Sequence, residues 1–338
     1  MSDSSLVPLR NACVPRDDVL QGGLADNHFA AQLDKVVRDA EHYPVYGDAD
    51  AFFAQTYPTS GLKTLLTKTF GRVTGAKGVA GENGILRPTT SFGGGKTHGL
   101  TAVYHLAGGA RPENIADFVD PALLPDGPGQ VAALVGDALD PTAGVETDGH
   151  RTFTLWGEMA AQIGDAAFAA MAANDAQRTA PGTGTIRAAF AGRPSIVIID
   201  EIAKYLRAVS SSGSEDVRRM ARAIPVFLGN LFEVASDPTN NVSVIITLAA
   251  TTNAFGAETT EISDLTGDEK ERADTANTAS VKAAEETGDV LTRAVQPSAV
   301  IRPADDNEIG EILKKRIFAS VDETAAKAAG DAYRRLYE

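Results

Sequence analysis

The feature that most restricts the fold is an apolar run that closes on two acids, Ser195-Ile196-Val197-Ile198-Ile199-Asp200-Glu201. A strand that is apolar at every position, not only at alternate ones, must be covered on both faces. That is the situation of a central strand in a parallel sheet flanked by helices. Val244-Ile245-Ile246, inside the stretch Val242 to Thr247, repeats the pattern. Two shorter segments, Ile85-Leu86 and Val131 to Val135, are the other expected strands.

Helical patterns separate these runs. One follows Thr97 with Leu100, Val103, Tyr104 and Ala107 on one side, a long Ala-rich one runs from about Leu155 to Ala173, and a third covers Val217 to Val234. Alternation of strand and helix predicts an α/β fold with a central, mostly parallel sheet. Residues 1–80 read as a helical lead-in: Phe29, Leu33, Val36 and Val37 share one helical face, and a second piece runs from Phe52 and Phe53 through Leu62, Leu65 and Leu66 to Phe70. The sheet-bearing core is placed at 81–256. Residues 257–290 are rich in Glu, Asp, Thr and Ala and poor in large apolar side chains, which predicts an exposed segment or insertion. Residues 291–338 carry two amphipathic patterns, around Glu308 to Phe318 and Asp322 to Tyr337, and are expected to form a helical lid or the start of a further domain. Their end within a helical pattern predicts that the chain is the front part of something longer.

Composition excludes several function classes. Cys13 is the only cysteine, so there is neither an internal disulfide nor a cysteine-based zinc site. The five histidines are scattered and none makes a ligand pair at helical spacing. No segment is apolar for long enough to span a bilayer, the start has no secretory pattern, and a cytoplasmic protein is expected. With 45 acidic and 31 basic side chains the net charge is −14, which disfavours a nucleic-acid binder acting through its whole surface and leaves room only for a local basic patch.

The chemistry is concentrated in Thr90-Ser91-Phe92-Gly93-Gly94-Gly95-Lys96-Thr97, between a strand and a helix. A polyphosphate is held best by backbone N–H groups converging at a helix N-terminus, and glycines let the chain wrap closely enough to supply them. Ser91, Phe92, Gly93, Gly94, Gly95, Lys96 and Thr97 are therefore the candidate phosphate-binding residues, in the manner of a G-x-x-x-x-G-K-[ST] loop. Lys96 would neutralise the β and γ phosphates and Thr97 would give its hydroxyl to Mg2+. Thr90 stands where the first glycine of that pattern belongs. His98 follows directly, either supporting the loop or facing solvent or core. The cofactors expected are ATP and Mg2+.

The acids that close the third strand complete the pair. A carboxylate at the mouth of a buried strand is costly unless it meets a cation, and Mg2+ bound to phosphate is such a cation. Asp200 is the candidate metal acid, reaching the ion through water, and Glu201 the general base that polarises the attacking water. For this motif alone, a strand end with a helix-capping Asp is the alternative. A polar side chain on the neighbouring strand would sense the γ phosphate. Thr247 is the first candidate and Asn253 the second, although a turn rich in small polar residues reads equally well there. Arg293, Arg302 and Arg316 lie where a lid arginine would be, and a solvated surface role is the default for each. Trp156, in Leu155-Trp156-Gly157-Glu158, is expected to anchor the core.

Taken together, the chain resembles the DUF499 family of large P-loop ATPases. The resemblance rests on Cys13-Val14-Pro15-Arg16-Asp17-Asp18-Val19, Phe52-Phe53 with Thr56-Tyr57 and Gly61-Leu62, Ser91 to His98, Tyr104-His105-Leu106, Thr154 to Glu158, and Ile198 to Glu201. It implies an AAA-like core within the P-loop NTPases, ATP and Mg2+ as cofactors, and a place beside DNA methyltransferases and helicases in phage-defence systems. The expected function is Mg-dependent ATP hydrolysis by a component of such a system. A nucleotide-gated scaffold that recruits partner proteins with little turnover is the alternative, slightly favoured by Thr90. A GTP-using domain would require a guanine-reading Asn-Lys-x-Asp segment, and none is clear. Oligomeric state stays open, including a homo-oligomer in which one subunit completes its neighbour's site.

Overall fold

The computed structural model describes residues 8–20, 31–76, 84–89, 95–247, 282, 286, 289–290, 293–294 and 299–335. The chain begins with three short elements, α1 (Leu9–Ala12), β1 (Cys13–Pro15) and α2 (Asp17–Leu20). A helical lead-in follows, made of α3 (Leu33–Arg38), α4 (Pro44–Gly47), α5 (Ala49–Ala54) and α6 (Ser60–Val73). Capping side chains set its starts. Asp48 Oδ1 accepts from Ala51 N at 2.8 Å at the head of α5, and Thr59 Oγ1 accepts from Leu62 N at 3.1 Å at the head of α6.

Next come β2 (Ile85–Pro88), α7 (Lys96–Ala107), β3 (Gln130–Val135) and a hairpin of β4 (Val145–Thr147) and β5 (His150–Thr152). Three helices, α8 (Leu155–Ile163), α9 (Asp165–Gln177) and α10 (Thr183–Phe190), lead to β6 (Ser195–Asp200). After it come α11 (Ile202–Ser210), α12 (Glu215–Met220), α13 (Ala223–Ser236) and β7 (Val242–Ile246). The last described elements are β8 (Val300–Ile301), a helix at Ile309–Ile317, β9 (Phe318–Val321) and a helix at Glu323–Arg335. The acidic stretch expected at 257–290 lies almost wholly outside the described residues, as do Phe29 and Asn253.

Five strands form one parallel sheet in the order β3-β6-β7-β2-β8. The pleat sorts the apolar run of β6 onto two faces. Val197 and Ile199 join Val244, Ile246, Leu134 and Ile85 in a core closed by α8 to α13, with Trp156 and Phe227 at its centre. Ile196 and Ile198 join Ile245, Leu86 and Ala133 in a second core closed by the lead-in and α7, with Phe52, Phe53, Leu65 and Phe70. The unbroken apolar pattern thus reflects burial on both faces, as expected. On the β3 edge, where no further strand pairs among the described residues, the Gln162 amide takes the place of one: Oε1 accepts from Ala133 N at 2.7 Å and Nε2 donates to Ala133 O at 3.0 Å.

Three expected boundaries are corrected. The single helix expected from Leu155 to Ala173 is divided into α8 and α9 at Gly164, whose φ of 134° and ψ of 173° are open to glycine alone. The pattern at Val217 to Val234 is likewise two helices, and Pro225 sits in the first turn of α13, where its missing N–H costs nothing. The fourth strand ends at Ile246, one residue before Thr247. Among the described residues no helix is long and apolar enough to cross a membrane.

The segment after β8 is clamped to the head of α6. Thr59 Oγ1 donates to Pro303 O at 2.5 Å, and Ser60 N donates to Glu308 Oε1 at 2.8 Å. The backbones approach so closely at Gly61 that a Cβ there would overlap the Arg302 carbonyl oxygen. Gly61→Ala should therefore force the two segments apart at a cost of about 1–3 kcal/mol. Thermal unfolding checks this, with a midpoint lowered by roughly 2 °C or more expected. An unchanged midpoint would mean that the clamp yields freely.

Candidate functional site

The carboxyl ends of β6 and β7 meet the amino end of α7. Gly95 precedes α7 in the left-handed region, φ 79° and ψ 17°, with open space where a Cβ would lie. Such a turn brings the first residues of the helix, Lys96 and Thr97, round to the sheet. Of the expected phosphate-binding residues, Ser91, Phe92, Gly93 and Gly94 lie outside the described residues, together with Thr90. Lys96 is half-exposed at the first position of α7.

Thr97 reaches the strand ends. Its hydroxyl donates to Asp200 Oδ2 at 3.0 Å, and from the other side the Thr247 hydroxyl donates to Asp200 Oδ1. The Thr247 oxygen also accepts from Glu201 N at 3.4 Å. Four candidates named from sequence, Thr97, Asp200, Glu201 and Thr247, are thus joined in one polar cluster. The sheet order explains it: β7 lies beside β6, so the residue that leaves β7 stands beside the residue that ends β6, and Thr247 N donates to Ile199 O at 2.9 Å.

Asp200 is buried, 2% exposed. Burial pushes its carboxyl above the ordinary value of 3.8, an effect offset in part by the hydroxyls of Thr247 and Thr97. Two neutral donors leave its charge without a cation among these contacts. One buried carboxylate between two hydroxyls fits a hard cation that keeps most of its waters and takes further oxygens from a ligand, the habit of Mg2+. Among the described residues no three His, Cys, Asp or Glu side chains gather to hold a metal, so a cage built of protein alone is not what this cluster offers.

Glu201 follows in the left-handed region, φ 54° and ψ 33°, a conformation that costs a non-glycine residue of order 1–3 kcal/mol. Its partners were not foreseen from sequence. Gly136, just past β3, donates its N–H to Asp200 O at 2.9 Å, and a Cβ on it would overlap the Glu201 carbonyl. Lys204 Nζ lies 3.7 Å from Glu201 Oε2 and 2.8 Å from Asp137 Oδ2. The three-residue spacing of Glu201 and Lys204 was visible in the sequence, whereas Asp137 enters only through the pairing of β3 with β6.

The remaining candidates lie elsewhere. His98 faces the lead-in: its Nε2 is 2.9 Å from Thr56 Oγ1, and its ring packs on Phe52 at 4.5 Å between centroids. Burial, with Arg316 adding to it, pushes the imidazole down to about 3, so the ring is neutral at physiological pH. Arg316 donates to Tyr46 Oη at 2.7 Å and lies over the Tyr46 ring. Arg293 is exposed beside Asp289, and the Arg302 main chain abuts Gly61.

Trp156 is buried against Phe227, as expected of a core anchor. Glu158, two residues on, gathers donors from four directions. Arg38 Nη2, Thr152 Oγ1 and Gln162 Nε2 approach it at 2.8, 2.7 and 2.7 Å, and Thr147 Oγ1 is 2.9 Å from Oε1. It ties the hairpin, the lead-in and the residue that covers the β3 edge to one point.

The model of the DUF499 N-terminal domain matches residues 9–118 and 128–265, which takes in every member of the polar cluster. The chain belongs to the DUF499 family. No curated protein and no solved structure matches it.

For this DUF499 chain the raised Asp200 carboxyl has a consequence for stability. A folded-state value above the unfolded one favours folding most at pH below 3.8, and that contribution is lost as pH rises through the folded value. At neutral pH the ionised buried group is a cost. Asp200→Asn should therefore stabilise the ligand-free protein on the order of 1 kcal/mol near pH 7.5, with the gain shrinking as pH falls toward about 4. Melting curves of both proteins across that range check it, and a variant less stable at neutral pH would contradict it.

Proposed function

We propose that this DUF499 domain is a P-loop NTPase of the AAA/ASCE-like kind that binds ATP with Mg2+ and hydrolyses it. The observation that carries the reading is the shared carboxylate: the hydroxyl of the residue after Lys96 and the hydroxyl at the end of the adjacent strand both point at Asp200. In open parallel sheets, ligands bind at the carboxyl ends of the strands, and this cluster sits at that edge, at the amino end of a helix.

Each residue then has a task. Lys96, beside the amino end of α7, meets the negative charge of the β and γ phosphates. The Thr97 hydroxyl and, through water, the Asp200 carboxylate would hold the Mg2+. When bound, that ion supplies charge that offsets the negative charge developing on the transferred phosphoryl oxygens. Glu201, at the left-handed turn that leads from β6 into α11, would accept the proton of the attacking water. Thr247, bonded to both Asp200 and the Glu201 amide, keeps acid and base in register and would sense the γ phosphate.

The proposed setting follows from the family resemblance: a cytoplasmic component of an anti-phage or DNA-modification system, acting with protein partners such as a DNA methyltransferase or helicase. DNA contact would be indirect or through a local patch, given the net charge of −14. One observation favours a second reading, a nucleotide-gated scaffold of low turnover: Thr90 occupies the place of the first loop glycine.

Nucleotide binding and steady-state hydrolysis with Mg2+ test both readings. Lys96→Ala should weaken ATP binding at least roughly tenfold. Glu201→Gln should keep the affinity and lose about 100-fold or more of the turnover. Affinity without turnover in the wild type selects the scaffold. Hydrolysis that both variants leave unchanged removes the assignment altogether.

A further inference from the structure

Around the proposed base lies an arrangement that the phosphate and metal roles leave unused. Lys204 is one turn along α11 from Glu201, and its ammonium stands between two carboxylates from different strands' ends. It bonds to Asp137 at 2.8 Å, within hydrogen-bond distance, and approaches Glu201 at 3.7 Å, beyond it. The main chain leading into Asp137 is held in turn, because Gly136 donates its N–H to Asp200 O at 2.9 Å. Asp200 belongs to the same field, since it acts on both Lys204 and Glu201 through space.

We infer that Lys204 is a positioning residue for the hydrolytic step, a cationic tether that Asp137 anchors and that holds the Glu201 carboxylate at the mouth of the site. The inference rests on the reading of Glu201 as the base. Geometry supports the division of labour between the two acids. At 3.7 Å, with its short hydrogen bond directed at Asp137, the ammonium restrains Glu201 by charge and leaves the carboxylate lone pairs open to a water molecule. Without the tether, Glu201 would lie next to the negative Asp200 with no other cation paired to it among the described residues, and repulsion would swing it away from the water it must orient. Misplacement of a base by about 1 Å is enough to cost on the order of 100-fold in rate.

The contribution to folding is small. The side chains of Lys204, Asp137 and Glu201 are 43%, 47% and 37% exposed, and ion pairs so exposed contribute little to stability. Loss of the tether should therefore show in kcat and not in the melting temperature.

The experiment compares Lys204→Met, Lys204→Arg and Asp137→Asn with the wild type in Mg-ATP hydrolysis, nucleotide affinity and thermal unfolding. Lys204→Met should lower kcat about 10- to 100-fold, with the ATP dissociation constant and the unfolding midpoint unchanged. Lys204→Arg, which keeps the charge, should recover most of the loss, and Asp137→Asn should fall between. Wild-type kcat in Lys204→Met overturns the tether while leaving the ATPase reading intact. Affinity or stability lost in step with kcat also overturns it, since the lysine would then be structural. Wild-type protein without Mg-dependent turnover overturns the ATPase reading, and the tether with it.

Discussion

A single buried carboxylate organises this domain. Asp200 ends β6, an inner strand of the sheet, out of contact with water, and receives hydroxyl groups from the start of one helix and the end of a neighbouring strand. Two neutral donors soften the burial of a charge without neutralising it. Its environment is therefore better suited to a state in which a cation is present. A fold that keeps such a group in its ligand-free form gives up stability to do so, a common pattern at sites shaped by function and not by packing.

The rest of the architecture serves to keep that group in place. Each face of β6 is sealed by its own core, so the strand that carries Asp200 is held from both sides. The lead-in helices seal one face and also hold α7, whose first turn supplies Lys96 and Thr97. His98 is the joint between them, neutral and packed on Phe52 while the preceding residue turns to the sheet. On the far edge, the Glu158 cluster fixes Gln162 against β3, the strand that leads to Gly136 and Asp137. Distant polar contacts thus bear on the site by setting the strands that end there.

How much of this the sequence discloses follows from the range of the interactions involved. β6 and β7 were legible because burial on both faces leaves an unbroken apolar run, and Thr97, Asp200 and Thr247 because each ends or begins such an element. The division of the long helix at Gly164 and the break before Pro225 were missed because hydrophobic periodicity continues across a change of axis. The edge strand β8 and the antiparallel pairing of β1 with β9 carry too few residues for a period to show, whereas α11 has a clear apolar face, Ile202, Tyr205, Leu206 and Val209, that was passed over. Gly136 and Asp137 were invisible for another reason: their role depends on which strand lies beside β6, a fact of register and not of local pattern. Arg316, a candidate for the lid, lies against Tyr46 in the lead-in, an association 270 residues apart in the chain.

The central claim is that Asp200 and Thr97 form one half of a metal–nucleotide site whose other half is the ligand. The most direct measurement is a crystal structure of the protein grown with Mg2+ and a non-hydrolysable ATP analogue. The account predicts the phosphates at the amino end of α7, with the ion at about 2.1 Å from Thr97 Oγ1 and one water away from Asp200, so that the present Thr97 to Asp200 hydrogen bond is opened. A nucleotide bound elsewhere, or an ion that leaves this hydrogen bond intact, would contradict it.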